Sequence, residues 1–328
     1  MQTAWEKCNV SGSCRCPFCF CVDDSPYLVY NRGKTLHRGR NMNKVTIIIP
    51  NFNGEAFLPA CIKSLQQQTD PDFDLFIVDN GSKDGSRQWL RQLEENPGPL
   101  SLHVLYHKKN LGFAGGVNTG LAAAHTEYVI LLNNDTEVFP DYVENLVKAI
   151  SRSPDIFAVS PLMINAHNKA LVDDAGDGYS VAGWGYQIGV GEKVRDFTKG
   201  RLVFSACAGG AIYRKALLDQ IGYFDERHFA YLEDMDLSYR ARLAGHPIVF
   251  EPSARVYHLG SATSGSRYNA FKVRLAARNN LYLIYKNMPN WQISLNFFPL
   301  LLGTLVKAGF FLKKGFFREY MGGLFEGI

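Results

Sequence analysis

Between residues 45 and 132 the chain alternates short apolar runs with segments of helical periodicity, and this alternation limits the fold more than any other feature. Residues 45–49 form a continuous β-branched run, as expected of a strand buried on both faces. Apolar residues then recur at helical spacing at Leu58, Cys61, Ile62 and Leu65. Similar runs predict strands at 75–78, 102–106 and 128–132. The pattern predicts an α/β fold, a mostly parallel sheet flanked by helices, with right-handed crossovers.

Polar residues follow each of these four predicted strands. In chain order they are Asn51, Asn53, Asp79, Ser82, Asn110, Asn133, Asn134 and Asp135. In parallel sheets, ligands bind beyond the carboxyl ends of the strands. The sequence therefore predicts a ligand site along one edge of the sheet.

The second half of the chain is less periodic. The predicted elements are a strand at 158–164, a glycine-rich loop or irregular hairpin at 173–191, a helix at 236–244, short strands at 248–250 and 255–258, and helices from 268 onward. Gly209 and Gly210 stand in an apolar context, where we expect the backbone to approach another group closely.

Glu233, Asp234 and Asp236 place three carboxylates within four residues where this helix is expected to begin. The positive end of a helix dipole offsets only part of their repulsion, about 0.3–1 kcal/mol each. Like-charge crowding raises the pKa of a carboxyl group, which suits a base that takes a proton from a hydroxyl. His258 follows a predicted strand further along the chain and is a candidate metal ligand, although a lone histidine is more often structural.

Asp79 and Asp135 each allow two interpretations. Asp79 is a candidate acceptor of hydrogen bonds from a nucleobase or ribose, or an Asx-turn carboxylate that caps the next helix. Asp135 is a candidate ligand for Mg²⁺ or Mn²⁺ bridging a diphosphate, or else caps a helix around 142–150 together with Thr136. The glycine-rich segment 111–116 leads from the third strand to a predicted helix that holds Val117, Leu121 and Ala124, and it lacks the G-x-G-x-x-G spacing of a dinucleotide site.

Composition excludes some classes of function. The chain has 328 residues and a net charge of +4, too small to indicate nucleic-acid binding. The first forty residues lack the continuous apolar run of a signal peptide. Five cysteines are spaced more tightly than usual zinc-site pairs: Cys8, Cys14, Cys16, Cys19 and Cys21. We expect residues 1–41 to be a disordered leader or a start-site artefact, and Cys61 and Cys207 to be isolated core thiols in a reducing cytosol.

The C-terminal part mixes basic and aromatic residues: Lys307, Phe310, Phe311, Lys313, Lys314, Phe316, Phe317 and Arg318. Such a mixture is typical of a helix on an anionic membrane surface, and also of an ordinary helix with a solvated basic edge. The most apolar stretch, 291–306, contains Pro299 and Gly303 and is shorter than the roughly 20 residues of a membrane span. It predicts an interfacial or buried helix.

Several motifs follow one another along the chain: I-P-N-F-N at 49–53, V-D-N-G-S-K-D-G-S at 78–86, N-L-G-F-A-G-G-V-N at 110–118, L-N-N-D-T at 132–136, G-G-A at 209–211, Y-L-E-D-M-D-L at 231–237, and His258. In this order they resemble the motifs of family 2 glycosyltransferases of the GT-A fold, especially the rhamnosyltransferase and galactofuranosyltransferase-like branch. The resemblance spans residues 44 to 285 and leaves residues 1–41 unexplained.

The resemblance implies an inverting glycosyltransferase with Asp234 as the catalytic base. Glu233 is expected to be the second catalytic residue, and Glu233 and Asp236 are expected to position the acceptor or Arg240. Asp135 and His258 would bind Mg²⁺ or Mn²⁺. The residues implied to bind the donor are Pro50, Asn51, Asn53, Asp79, Ser82, Asn110, Gly112, Asn118, Asn133 and Asn134. Asn133 departs from the family's commoner aspartate and offers the metal no charge.

The implied donor is a nucleoside diphosphate sugar, dTDP-rhamnose or a UDP-sugar, with rhamnose favoured. The implied acceptor is a polysaccharide or lipid-linked glycan at the cell surface, and the expected location is the cytoplasm, at the inner face of the plasma membrane. We expect a GT-A catalytic domain at 42–267, with a donor half at 42–140 and an acceptor half at 141–267. Residues 268–328 would form a helical, membrane-associating extension.

Two other functions stay open from the sequence. A sugar nucleotidyltransferase should carry an Arg- and Lys-bearing phosphate loop after the first strand, where this chain has Pro-Asn-Phe-Asn-Gly-Glu. A non-catalytic nucleotide-sugar-binding protein would not need Asp135, Asp234 and His258 together. Release of nucleoside diphosphate from a sugar nucleotide would distinguish these alternatives.

Overall fold

A computed structural model describes residues 44–260 and 268–328. The predictions for residues 1–41, including the clustered cysteines, lie outside the described residues. The strands are β1 Val45–Asn51, β2 Phe73–Asp79, β3 Ser101–Tyr106, β4 Tyr128–Leu131, β5 Thr136–Val138, β6 Ala158–Asn165, β7 Val172–Asp174, β8 Asp177–Tyr179, β9 Gly185–Gln187, β10 Arg201–Val203, β11 Ile212–Arg214 and β12 Ile248–His258. The α-helices are α1 Leu58–Leu65, α2 Ser86–Glu95, α3 Gly112–Ala123, α4 Tyr142–Ile150, α5 Lys215–Ile221, α6 Glu233–Leu243, α7 Ala270–Asn287, α8 Asn290–Leu295, α9 Phe297–Lys314 and α10 Phe317–Glu326.

One large mixed sheet forms the centre of the molecule, in the strand order β10-β12-β6-β11-β4-β1-β2-β3. The first four strands of the chain pair in parallel, as predicted. The second half adds antiparallel strands, because β11 inserts between β4 and β6. Two short strands lie outside this order: β5 pairs with β12, and β7 pairs with β6.

Apolar residues cover both faces of this sheet. Ile47 and Ile49 of β1 pack into a core with Leu58 of α1, whereas Ile48 packs into a second core with Val117 of α3. This explains the continuous apolar run of β1, since successive side chains of a strand point to opposite faces. With both faces covered, the strand ends are what remains for a ligand site.

Some predicted boundaries differ from the structure. α3 begins at Gly112, so the glycine-rich segment forms its first turns rather than a loop before it. The two short strands predicted at 248–250 and 255–258 are a single strand, β12, with a register shift between Glu251 and Arg255. Residues 252–254 have no partner in β6, and the pairing of the two strands resumes at Arg255.

Other expectations are confirmed. The acidic cluster does open a helix, since α6 begins at Glu233. The glycine-rich region contains an irregular hairpin formed by β8 and β9. Gly210 lies close to other groups, because a Cβ there would stand 3.3 Å from Pro161. Cys61 is a free, buried thiol and Cys207 a free, partly buried one, and burial raises the pKa of Cys61 to about 12.

The C-terminal helices pack partly on one another. Phe311 and Phe316 pack against a core formed by Val273, Ala277 and Tyr320. The predicted apolar stretch 291–306 corresponds to α8 and the first half of α9, whose apolar side chains are largely exposed. Within residues 44–260 and 268–328, none of the helices has the length and hydrophobicity needed to cross a bilayer.

Candidate active site

Asn51 and Asp79 stand side by side where β1 and β2 end, because the register pairs them. The Asn51 side-chain amide donates to Asp79 Oδ1 and to Ser82 Oγ, at 3.2 Å in each case. Asn134, which follows β4, donates to Asn51 Oδ1 at 2.7 Å. A single hydrogen-bond network therefore joins the ends of three neighbouring strands at the predicted edge.

The Asp79 carboxylate is fully buried and already has protein donors. Arg87 Nε on α2 lies 2.6 Å from Asp79 Oδ2, and the backbone N–H of Ser82 donates to the same oxygen at 3.3 Å. The Asx-turn interpretation fits the contact with Ser82, but α2 begins at Ser86 and is not capped by Asp79. Arg87 was missed from the sequence because one arginine on an amphipathic helix carries no distinguishing pattern.

Pro50 and Asn53 flank the buried Asn51. Pro50 lies within β1, opposite Val78 of β2. Asn53 has a positive φ of 52°; its backbone N–H donates to Ser82 Oγ at 2.9 Å, and its side-chain oxygen accepts the N–H of Lys83 at 2.8 Å. These contacts fix the turn after β1 against the turn after β2.

Asn110 and Asn118 have different surroundings. Asn110 Oδ1 accepts the N–H of Gly112 at 2.8 Å and the side-chain amide of Asn80 at 3.0 Å, which holds the start of α3 at the sheet edge. Asn118 donates to the carbonyl of Phe224 at 2.9 Å and accepts the N–H of the same residue at 3.1 Å. The Asn118 amide therefore connects α3 to the second half of the chain.

Asp135 and His258 are brought together by the pairing of β5 with β12. His258 Nε2 lies 3.4 Å from Asp135 Oδ1, and His258 Nδ1 lies 2.7 Å from Asp173 Oδ2. Burial opposes protonation of the ring, but the two carboxylates outweigh it and raise the pKa of His258 to about 10. Asp135 precedes a strand and caps no helix; Asp141 stands at the N-terminus of α4.

Asp173 was not identified from the sequence. It begins the run Asp-Asp-Ala-Gly-Asp at 173–177, and three acids in five residues of a glycine-rich stretch were the available signal. By accepting from Nδ1, Asp173 fixes the proton on that nitrogen and turns Nε2 toward Asp135. A second carboxylate that orients a ligand histidine in this way is common at metal sites.

The Asp135–His258 pair fits a divalent cation that takes most of its ligands from substrate. Mg²⁺ and related ions are commonly held by one or two carboxylates plus phosphate oxygens and water. Within the described ranges no group of three or more His, Cys, Asp or Glu side chains is arranged to hold a metal. Asn133 lies against the backbone, since a Cβ on Gly209 would stand 2.8 Å from its Nδ2. The candidate donors from the protein are therefore one carboxylate and one imidazole.

Asp234 lies in the first turn of α6. Its Oδ1 accepts the N–H of Met235 at 2.8 Å, and its Oδ2 accepts the N–H of Ala208 at 3.4 Å. The next residue, Gly209, accepts the N–H of Asn133 at 3.0 Å. The backbone at 208–209 therefore joins Asp234 to the segment that carries Asp135.

The three clustered carboxylates have different environments. Burial raises the pKa of Asp234; burial also raises the pKa of Glu233, to which the charge of Asp234 adds. Asp236 is also buried, but Asn287, Arg240 and Lys286 stabilise its charge and lower its pKa. Repulsion among the three carboxylates was predicted to raise their pKa. For Asp234 this prediction was wrong, because burial raises its pKa.

Asp174 and Asp177 lie near Asp234 and were also missed. Burial raises the pKa of Asp174 to about 7, with further increases from the charges of Asp173 and Asp234. Burial likewise raises the pKa of Asp177, followed by the charges of Asp174 and Asp234. Since Asp173 contacts His258, the 173–177 segment connects the Asp135–His258 pair with the surroundings of Asp234.

The backbone before α6 is strained. Phe229, Tyr231 and Leu232 have positive φ angles of 62°, 69° and 64°, a conformation that costs of order 1–3 kcal/mol for each such residue. Asn279 of α7 is fully buried and donates to three backbone carbonyls between residues 228 and 231, at 2.8–2.9 Å. The strained turn that presents Glu233 and Asp234 is therefore held by a side chain of the C-terminal helices.

The family model described as glycosyl transferase family 2 matches residues 46–222, more than half of the chain. The chain belongs to glycosyl transferase family 2.

Solved structures share the fold of this chain. One is GalNAc-T7 with UDP, GalNAc and Mn²⁺ (TM-score 0.60, 17% identity, 75% of this chain and 48% of that chain). Another is a mannosyltransferase from Pyrobaculum calidifontis in complex with GDP-Man and Mn²⁺ (TM-score 0.55, 16% identity, 85% of this chain and 73% of that chain). The GT-A fold predicted from the motifs is confirmed.

Among curated relatives, the chain is 26% identical over 242 residues to the N-acetylglucosaminyl-diphospho-decaprenol L-rhamnosyltransferase of Mycobacterium tuberculosis, which is 67% of this chain and 77% of that protein. Three other curated relatives match over only 25%, 40% and 15% of their own lengths.

Proposed function

We propose that this protein is an inverting, metal-dependent glycosyltransferase that uses a nucleoside diphosphate sugar. The observation that carries the proposal is the position of Asp234. Its carboxylate is held by two backbone N–H groups, and the backbone at 208–209 joins it to the segment of Asp135, which faces His258. Family membership supports the class of reaction.

In this mechanism Asp234 takes the proton of an acceptor hydroxyl while that oxygen attacks the anomeric carbon opposite the leaving group. Burial raises the pKa of Asp234, which makes the carboxylate a stronger base. Asp135 and His258 would hold the divalent cation, which supplies positive charge to the diphosphate leaving group when bound. Asp173 holds the His258 ring in place, and Asn51, Ser82 and Asn134 orient the donor. One displacement inverts the anomeric centre and needs no covalent enzyme intermediate.

For the donor we favour dTDP-rhamnose, then UDP-sugars, because of the motif resemblance and because the mycobacterial relative is an L-rhamnosyltransferase. The proposed acceptor is a polysaccharide or lipid-linked glycan. Residues 42–140 would form the donor half and 141–267 the acceptor half of the catalytic domain, followed by the extension at 268–328. The proposed location is the cytoplasm, at the inner face of the plasma membrane.

The test is nucleoside diphosphate release from a panel of sugar nucleotides and acceptors, with Mn²⁺ or with EDTA. Asp234→Asn should lower kcat by about 10²–10⁴, the usual contribution of a general base, and leave donor binding unchanged in calorimetry. Asp155→Asn, at an exposed position, is the matched control and should keep wild-type turnover. Near wild-type turnover in Asp234→Asn would show that the base is misassigned.

The pH profile gives an independent measurement. The base must be deprotonated, and the pKa of Asp234 is raised. We therefore expect kcat/KM to fall with decreasing pH at a value above the ordinary aspartate pKa of about 3.9. An acidic limb at or below that value would contradict the role of Asp234.

A further inference from the structure

The outer face of α9 is apolar and exposed. Its side chains recur at helical spacing, with exposed fractions of 78% for Phe298, 46% for Leu301, 62% for Leu302, 59% for Leu305 and 64% for Leu312. We call these five residues the α9 face. Large contiguous apolar patches on a protein surface mark sites of interaction with another molecule or a membrane.

The charge around this face has one sign. From residue 252 to residue 318 the sequence contains no Asp or Glu, although it contains ten Lys and Arg. Lys313, Lys314 and Arg318 are exposed at the C-terminal end of α9 and just beyond it. Basic residues beside an apolar helix face are complementary to an anionic lipid surface.

We propose that the α9 face docks on the surface of an anionic bilayer. α9 has 18 residues and is about 27 Å long; it would lie in the plane of the interface with its apolar side chains among the acyl chains. Trp291 of α8, 68% exposed, adds an aromatic residue of the kind enriched at membrane–water interfaces. The positive charge favours this occupant over a second copy of the chain, because the basic residues beside the two α9 faces would repel each other.

The face is connected to the candidate active site through the β8–β9 hairpin. The tip of the hairpin packs on α9 so closely that a Cβ on Gly303 would stand 2.7 Å from the carbonyl oxygen of Ala182. Ala182 and Trp184 also line an apolar cavity of about 410 Å³ with Phe298 and Leu302. The hairpin also packs on α6, since a Cβ on Gly185 of β9 would stand 2.8 Å from Cε of Met235, the residue that follows Asp234.

Docking therefore places the acceptor side of the site next to the lipid surface. This placement rests on the proposed function, and it favours a lipid-linked acceptor over a free polysaccharide.

The test is co-sedimentation of the full chain with vesicles of phosphatidylcholine alone or mixed with phosphatidylglycerol. We expect binding to the mixed vesicles that weakens at high salt. Lys313→Gln/Lys314→Gln should weaken it about 25-fold, since each basic residue contributes about fivefold. Leu302→Asp/Leu305→Asp should weaken it by at least about tenfold. Leu243→Asp, at a residue 57% exposed on α6, is the matched control and should bind normally.

Equal binding of all variants, or no preference for anionic vesicles, would overturn the docking. So would sedimentation showing a dimer that Leu302→Asp/Leu305→Asp dissociates, since the face would then join two copies. Asp234→Asn should bind vesicles like the wild type. The docking and the proposed chemistry can thus fail independently, because donor hydrolysis in the absence of lipid measures only the latter.

Discussion

The pKa values of the neighbouring carboxylates Glu233, Asp234 and Asp236 shift in different directions because of residues far away in the sequence. Asp236 is buried, but the hydrogen bond from Asn287 and the charges of Arg240 and Lys286 lower its pKa; Lys286, fifty positions further on, lies 2.9 Å from Asp236 Oδ2. Glu233 keeps one buried carboxylate oxygen without a hydrogen-bond partner among the described residues, and its pKa is raised. Adjacency along the chain indicated crowding, but only the folded environment separates an ion-paired acid from a candidate base.

At the same scale, Asp173 is predicted to position His258. Asp173→Ala should leave the ring free to rotate and lower Mn²⁺ affinity about 10–100-fold, as loss of such a partner typically does. Electron paramagnetic resonance of Mn²⁺ with bound UDP measures this affinity without catalysis, and a Mn²⁺ titration of turnover measures its effect on rate. Asp196→Asn, at an exposed acid, is the control. Unchanged Mn²⁺ affinity in Asp173→Ala would mean that the residue does not orient the histidine.

Among the elements, those with local signals were predicted best. α4 has the predicted bounds, and β1, β2, β3 and β4 lie within about two residues of theirs, because apolar runs and helical periodicity are carried by adjacent residues. The start of α3 was placed too late because glycines usually predict a loop. They are tolerated here because the helix lies very close to the sheet.

The close contact of α3 with β1 can be tested at Gly120. A Cβ there would stand 2.5 Å from Ile48 Cγ2, so Gly120→Ala should destabilise the protein by about 1–3 kcal/mol through overpacking. Gly309→Ala is the matched control, because a Cβ at Gly309 meets nothing within 4 Å; it should stabilise by up to about 1 kcal/mol through helix propensity. Urea unfolding measures both, and a neutral Gly120→Ala would contradict the packing.

In the molecule as a whole, the C-terminal helices are attached to the catalytic part by polar contacts. Asn287 of α7 donates to Asp236 Oδ1 at 2.8 Å, and Lys286 contacts Asp225 and Asp236. Asn279 adds its bonds to the strained turn before α6. The predicted extension thus supports the geometry of the acidic cluster in addition to carrying the α9 face.

Asn279→Ala is expected to destabilise the catalytic part and the C-terminal helices together. The change removes a buried donor from three backbone carbonyls, and a buried unsatisfied group costs about 1–3 kcal/mol. We expect a lower Tm with coincident transitions in circular dichroism and tryptophan fluorescence, together with a loss of transferase activity. Asn290→Ala, at an exposed position, should leave both unchanged. Separate melting transitions would show that the C-terminal helices fold independently of the catalytic part.

The sequence by itself determined the alternation of strands and helices, the edge at which polar residues gather, and the candidate residues Asp135, Asp234 and His258. These signals lie in periodicity and in motifs of adjacent residues. Only the tertiary structure decided that Asp173 holds His258 across 85 positions, that Arg87 neutralises Asp79, that Asn279 supports the turn before α6, and that β11 inserts between β4 and β6. Such contacts join residues far apart in the chain and produce no periodic pattern in the sequence, because burial and pairing are fixed only when the core packs.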